Sequence, residues 1–156
     1  MKIGLLSDTH GHFDPAWHEV LGDCDEIWHA GDIGSLEVSD GLKAWAPLVA
    51  CYGNIDDAAV RAQYPEHVHF EREGVKIWLT HILTPQVKKQ LKSVQPDLLI
   101  FGHSHIVKAD RDKLGVFHLN PGACGRQGIH LVKTMVTFEV QDRRISAMRI
   151  HNLGAR

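Results

Sequence analysis

The sequence offers little sulfur chemistry. Its three cysteines, Cys24, Cys51 and Cys124, are odd in number, far apart and free of any CxxC pair, which excludes a disulfide framework and a thiolate zinc knuckle. A reducing compartment fits that usage. Long apolar runs are also missing. The opening Met1-Lys2-Ile3-Gly4-Leu5-Leu6 is too short for a signal peptide, and no stretch approaches the roughly 18 to 20 apolar residues of a bilayer span. A cytoplasmic protein without membrane contact is the expectation. Nor does one charge dominate: 17 basic and 19 acidic side chains leave a formal net charge of −2. Whole-molecule attraction for nucleic acid or an anionic membrane is therefore lacking, and any phosphate must be bound locally. Internal repeats, low-complexity segments and Pro/Gly/Ser linkers are absent. The 156 residues, 44% of them apolar, read as one domain over 1–156 with enough chain to bury a core.

What the sequence has in excess is histidine, with 12 scattered along its length. Short apolar segments at Lys2 to Ser7, Glu26 to His29 and Leu48 to Tyr52 read as buried strands, with helical spacing at Leu36, Leu42 and Trp45 between the last two. Val75 to Thr80 and Asp97 to Phe101 continue the strand series around a helical stretch at Gln86 to Val94. The last third, with strand-like segments at Ile106 to Ala109, Val116 to Leu119, Val132 to Val140 and Arg144 to Ile150, carries few helix signals. The two halves are expected to form two sheets of one α/β domain.

Metal-binding residue types stand where these segments end: Asp8 and His10, Asp32, Asn54, His81, and His103 with His105. In α/β sheets ligands bind beyond the carboxyl ends of the strands, so these motifs are expected to converge. Taken singly, each has an ordinary structural reading. Asp32 could cap the helix that follows, Asn54 could be a turn residue after Gly53, and His81 could simply end a strand. Taken together they supply imidazole, carboxylate and amide oxygen. That mixture suits Mn²⁺, Fe, Zn²⁺, Ni²⁺ or Co²⁺ and is too rich in nitrogen for a dedicated Ca²⁺ or Mg²⁺ site. Two such divalent ions lower the pKa of bound water toward about 7 and clamp an in-line displacement. Asp8, Asp32 and a bridging hydroxide do not cancel their charge, so anionic phosphate esters are the natural guests.

Ser7-Asp8-Thr9-His10-Gly11, Ala30-Gly31-Asp32, Gly53-Asn54-Ile55-Asp56, Thr80-His81 and Gly102-His103-Ser104-His105 occur in this order. They closely resemble the five signature blocks of calcineurin-like metallophosphoesterases. With the Asn120-Pro121-Gly122-Ala123 turn, the short chain resembles the small bacterial and archaeal phosphodiesterase branch. The resemblance implies a four-layer α/β/β/α sandwich, two mixed β-sheets flanked by helices. It implies one metal held by Asp8, His10, Asp32 and His105 and a second held by Asp32, Asn54, His81 and His103, with Asp32 shared. The expected cofactors are two divalent transition-metal ions, manganese foremost, and the nucleophile a metal-bridging hydroxide.

Two departures from the family pattern matter. Ile82 follows His81 where many relatives have glycine, and Ile55 follows Asn54 where nucleases and many phosphatases of the superfamily carry a histidine thought to protonate the leaving group. Without that acid a rate term of roughly 10²- to 10⁴-fold is missing. His12 is a candidate substitute, beside His103 and Asn54 as candidate catalytic groups. Asp56 is expected to orient a ligand or the turn. Arg126 and His130 are candidates for holding a phosphate, His29 could face the site, and Trp17, Trp28, Trp45 and Trp78 are expected in the core.

The leading expectation is a metal-dependent hydrolase of a small phosphodiester. A non-catalytic interaction scaffold is the second reading, because a eukaryotic retromer subunit resembles the same fold with a degenerate site. A nuclease is the third, and the net charge argues against nucleic acid as the partner. Relatives are often dimers or tetramers, so a homo-oligomer is compatible with the sequence.

Overall fold

The computed structural model describes residues 1–156. In chain order the elements are β1 (Lys2–Leu6), α1 (His18–Leu21, preceded by a 3-10 turn at Pro15–Trp17), β2 (Glu26–His29), α2 (Leu36–Lys43), β3 (Leu48–Ala50) and α3 (Ala58–Gln63). There follow β4 (His67–Arg72), β5 (Val75–Thr80), α4 (Pro85–Val94), β6 (Leu98–Ile100), β7 (Lys108–Arg111), β8 (Phe117–Asn120), β9 (Val132–Gln141) and β10 (Arg144–Ala155). The strands make two five-stranded mixed sheets, β10-β9-β1-β2-β3 and β4-β5-β6-β8-β7.

Alternation along the strands sorts side chains into three apolar layers. Ile3, Leu5, Trp28 and Phe138 from one sheet meet Ile77, Leu79, Leu98 and Ile100 from the other, all buried, and this is the core between the sheets. Leu6 and Ile27 point the other way onto Leu21, Val38, Leu42 and Val60 of the first three helices. Trp78 and Leu99 point away from the centre onto Val87 and Leu91 of α4. The result is the α/β/β/α sandwich expected from the resemblance.

The two sheets do not coincide with the two halves of the chain. β9 leaves the C-terminal half to pair antiparallel with β1, with Ile3 opposite Phe138 and Leu5 opposite Val136. The backbone of β9 thereby pairs with what would be an exposed edge of β1. Three elements lie outside the segments expected from sequence: α1, α3 and β4. In β7 all four residues are exposed, because the strand is the edge of its sheet. Trp17, Trp28 and Trp78 are buried as expected, while Trp45 is half-buried against Phe13.

Helix ends follow local chemistry. Thr84 Oγ1 accepts the Val87 N–H at 3.2 Å and Pro85 opens α4, which closes at a left-handed Gln95 just before Pro96. Ser35, not Asp32, is the N-cap residue of α2, which leaves Asp32 free for other work.

Candidate metal centre

β1, β2, β3, β5 and β6 each run out into a loop that carries one of the motifs. The parallel pairing of β1 and β2 continues past the strand ends, with Asp8 N–H donating to Gly31 O at 3.0 Å and His10 N–H to Asp32 O at 3.0 Å. Gly102 N–H donates to His81 O at 3.0 Å, extending the pairing of β5 and β6, and Gly125 N–H, from the connection between β8 and β9, donates to Asp8 O at 3.1 Å. A Cβ at Gly102 would overlap Ser7 Oγ and crowd Asp8 Oδ2, so only glycine lets the His103 loop approach Asp8 this closely.

Five of the seven expected ligands adopt left-handed backbone: Asp8 (φ 56°), His10 (48°), Asp32 (54°), His103 (68°) and His105 (60°). Residues other than glycine are uncommon there, each at a cost of about 1 to 3 kcal/mol. Such a concentration marks a site whose geometry is imposed by its surroundings. Ile82 is not among the left-handed residues, so the position after His81 does not require the glycine that many relatives have.

Each buried carboxylate divides its oxygens between two tasks. Asp8 Oδ2 accepts Ser7 Oγ–H at 2.6 Å and the His103 N–H at 3.2 Å, while Oδ1 makes no hydrogen bond. That free oxygen faces His105 Nε2 at 3.1 Å, His81 Nε2 at 3.8 Å and His10 Nε2 at 3.9 Å. Asp32 Oδ1 accepts the Ile55 N–H at 3.1 Å, and Oδ2 faces His81 Nε2 at 3.2 Å and His10 Nε2 at 3.5 Å. His81 Nδ1 lies 2.7 Å from Ala30 O, which can only accept. In the neutral ring the proton therefore sits on Nδ1, and Nε2 is the nitrogen turned to the carboxylates. Asp8 Oδ1, His10 Nε2 and His81 Nε2 are buried without a hydrogen-bond partner. Orphaned polar atoms of that kind are costly, and a cation among them would remove the cost.

The donor atoms form two groups, Asp8 with His10 and His105, and Asp32 with His81 and His103, each within 4.8 Å of one another. Asn54 Oδ1 joins the second, 3.1 Å from His103 Nδ1. The electrostatics are those of a mixed acid-imidazole cluster. Burial opposes charge on His81, but the carboxylates of Asp32 and Asp8 outweigh it and raise its pKa. Burial likewise pushes Asp32 upward, yet His81 and the Ile55 N–H outweigh it and hold the carboxyl below its usual range.

Other candidates take different places. Asp56 orients the turns, accepting the N–H groups of Gly53, Gly34 and Ile33. His12 makes no hydrogen bond or ion pair with any of the seven; it stands edge-on to Trp17 at 5.6 Å, and burial, followed by Arg126, lowers its pKa. His29 does not face the carboxylates. Its Nδ1 accepts the Gly31 N–H at 3.1 Å, its Nε2 lies 2.9 Å from Thr9 Oγ1, and Thr9 donates onward to Ile33 O at 2.8 Å. Burial drops its pKa to about 3, so it is a neutral strut between two loops. His130 is not free to hold a phosphate, because both its ring nitrogens are engaged, with Gly125 O and His105 Nδ1. Arg126 stays exposed. The contact of His130 with His105 spans 25 positions of sequence and had no linear signal.

Comparison with known proteins agrees with the geometry. A probable metallophosphoesterase of Methanocaldococcus jannaschii is 33% identical over 136 residues, covering 79% of this chain and 68% of that protein. A phosphodiesterase of the same archaeon is 28% identical over 141 residues, covering 80% and 84%. Among solved structures, a novel archaeal phosphodiesterase superposes with a TM-score of 0.80 at 24% identity, over 98% of this chain and 100% of that one. Zinc-complexed Vps29 of Entamoeba histolytica superposes with a TM-score of 0.78 at 16% identity, over 99% of both chains. These two structural likenesses speak for the fold alone. The family model of the calcineurin-like phosphoesterase superfamily domain matches residues 1–143, which takes in all five strand-end motifs. With motifs, sandwich and sequence relatives in agreement, this chain belongs to the calcineurin-like phosphoesterase superfamily.

Proposed function

We propose that the protein is a binuclear metal-dependent phosphodiesterase acting on a small soluble phosphodiester in a reducing, cytoplasmic setting. The observation that carries this reading is the convergence of three buried, unpartnered atoms, Asp8 Oδ1, His10 Nε2 and His81 Nε2, beside Asp32 Oδ2. Asp8, His10, Asp32 and His105 would hold one cation, and Asp32, Asn54, His81 and His103 the other, with manganese the first candidate metal. When bound, such ions supply Lewis-acid charge and a nucleophile from water at neutral pH. The chain's own part is to fix the donors, and the hydrogen bonds that occupy Asp8 Oδ2 and Asp32 Oδ1 turn each remaining oxygen inward. His103 is exposed and reaches Asn54, so this pair stands at the mouth, where a phosphoryl oxygen would gain charge. His12 shares the loop of Asp8 and His10 and is the candidate proton donor. Burial, followed by Arg126, lowers its pKa and so disfavours the protonated form that this role needs. The likeness to a phosphodiesterase of Methanocaldococcus jannaschii supports the diester over the monoester.

The test is hydrolysis of bis-p-nitrophenyl phosphate and of p-nitrophenyl phosphate by chelator-stripped protein reloaded with Mn²⁺, beside Asp32→Asn. Metal-dependent turnover that favours the diester and falls at least about 10²-fold in the variant is expected. A folded wild type that binds Mn²⁺, Ni²⁺ or Zn²⁺ and turns over neither ester would overturn the reading in favour of an interaction scaffold.

A further inference from the structure

His130 and His105 meet through their Nδ1 atoms at 3.0 Å, and His130 Nε2 lies 3.0 Å from the carbonyl oxygen of Gly125. Proton positions follow from these partners. A carbonyl oxygen only accepts, so His130 Nε2 carries the proton, and the Nδ1 of the neutral ring is an acceptor. His105 must then donate from Nδ1, which leaves the lone pair of its own Nε2 directed at Asp8 Oδ1, 3.1 Å away. Two atoms rich in lone pairs at that distance repel unless a cation lies against both.

The loop around His130 is shaped for this contact. Ile129 and Leu131 are 84% and 80% exposed while His130 between them is 9% exposed. Burial of apolar area alone would have turned one of the aliphatic neighbours inward instead. Gly128 lies in the left-handed half of backbone space at φ 124°, and a Cβ there would overlap His105 Nδ1 and Cε1. The backbone therefore passes directly over the imidazole that His130 holds. His81, the corresponding imidazole of the other group, is held by the carbonyl of Ala30 at the buried end of β2. One ligand is anchored in the core and the other in a surface loop that returns from the C-terminal side.

We propose that His130 is a positioning residue that holds His105 in the Nδ1–H tautomer with Nε2 turned to the metal, so that only the cation at Asp8, His10 and His105 depends on the 125–131 loop. The proposal rests on the ligand assignment of the preceding subsection but not on the reaction. Partners of this kind typically change metal affinity by about 10- to 100-fold when removed.

The experiment compares the wild type with His130→Ala and His130→Asn by calorimetric titration of chelator-stripped protein with Mn²⁺, and reads the His105 tautomer in metal-free protein from imidazole nitrogen shifts. In His130→Ala one of two Mn²⁺ affinities is expected to fall about 10- to 100-fold with the other unchanged, and His105 to leave the Nδ1–H form. Asparagine places an acceptor oxygen near the lost Nδ1, so His130→Asn is expected to restore both readouts. Unchanged affinities, an equal loss at both positions, an unaltered His105 tautomer, or no rescue by asparagine would each overturn the proposal. Ester hydrolysis by the wild type is measured separately. Its absence would count against the phosphodiesterase reading alone, because the role of His130 is decided by the affinities and the tautomer.

Discussion

Asp56 Oδ2 accepts the backbone N–H of Gly53 at 2.7 Å, which ties the loop after β3 to a carboxylate that also serves the loop after β2. Ile33 and Gly34, immediately after Asp32, donate to the same carboxylate at 3.1 and 2.7 Å. Asp32 and Asn54 thus stand on two loops held in register by one side chain that does not itself touch the cluster.

Asp56→Ala leaves three backbone donors without their partner. Hydrogen bonds to a charged group are worth roughly 1.5 to 3 kcal/mol each, and solvent can reach Gly34, so a loss of about 3 kcal/mol in the stability of metal-free protein is expected. Asp56→Asn keeps one acceptor oxygen and should lose about half as much. Urea unfolding in the presence of chelator measures both, and coincident midpoints for all three proteins would contradict the role.

Ile55 is 44% exposed, and only its backbone N–H bonds to Asp32, so the side chain is free to change. The family histidine at this position is missing, and alkyl leaving groups should suffer most. Ile55→His is expected to raise the kcat/KM for an alkyl phosphodiester relative to an aryl one by about tenfold or more, since a positioned acid typically contributes 10² to 10⁴. An unchanged ratio would show that protonation of the leaving group does not limit the reaction.

His29 predicts a pH dependence of stability. Its pKa is about 3 in the folded protein and about 6.5 unfolded, so between these values the unfolded chain binds the extra proton. The stabilisation is complete above about pH 6.5 and is lost as pH falls toward 3. Between pH 7 and pH 5 this one group should account for about 2 kcal/mol of lost stability. His29→Asn can still accept the Gly31 N–H but cannot titrate. Its stability, measured by urea unfolding with chelator at both pH values, should therefore fall by that much less. Equal losses in variant and wild type would exclude His29 as the source.

Much of the site was legible because its chemistry sits at strand ends, where apolar segments stop and Gly-Asp, Gly-Asn or Gly-His-x-His begins. Elements without such contrast were harder to see. β4 alternates exposed and half-buried residues and has no apolar run, although the Glu73-Gly74 turn, with both residues at positive φ, marks the hairpin to β5. α3 is six residues long and is announced only by its Asp57 cap.

The sequence by itself determined the family and the placing of the seven candidate donors where apolar segments end, because residue type and spacing are local properties of the chain. Tertiary structure decided which oxygen of Asp8 and Asp32 faces the imidazoles, the left-handed backbone at five donors, the use of His29 as a strut and the contact of His130 with His105. It also decided that β9 completes the first sheet. These features depend on hydrogen bonds and packing between residues far apart in the chain. Only the folded molecule sets which carbonyl and which carboxylate each imidazole meets.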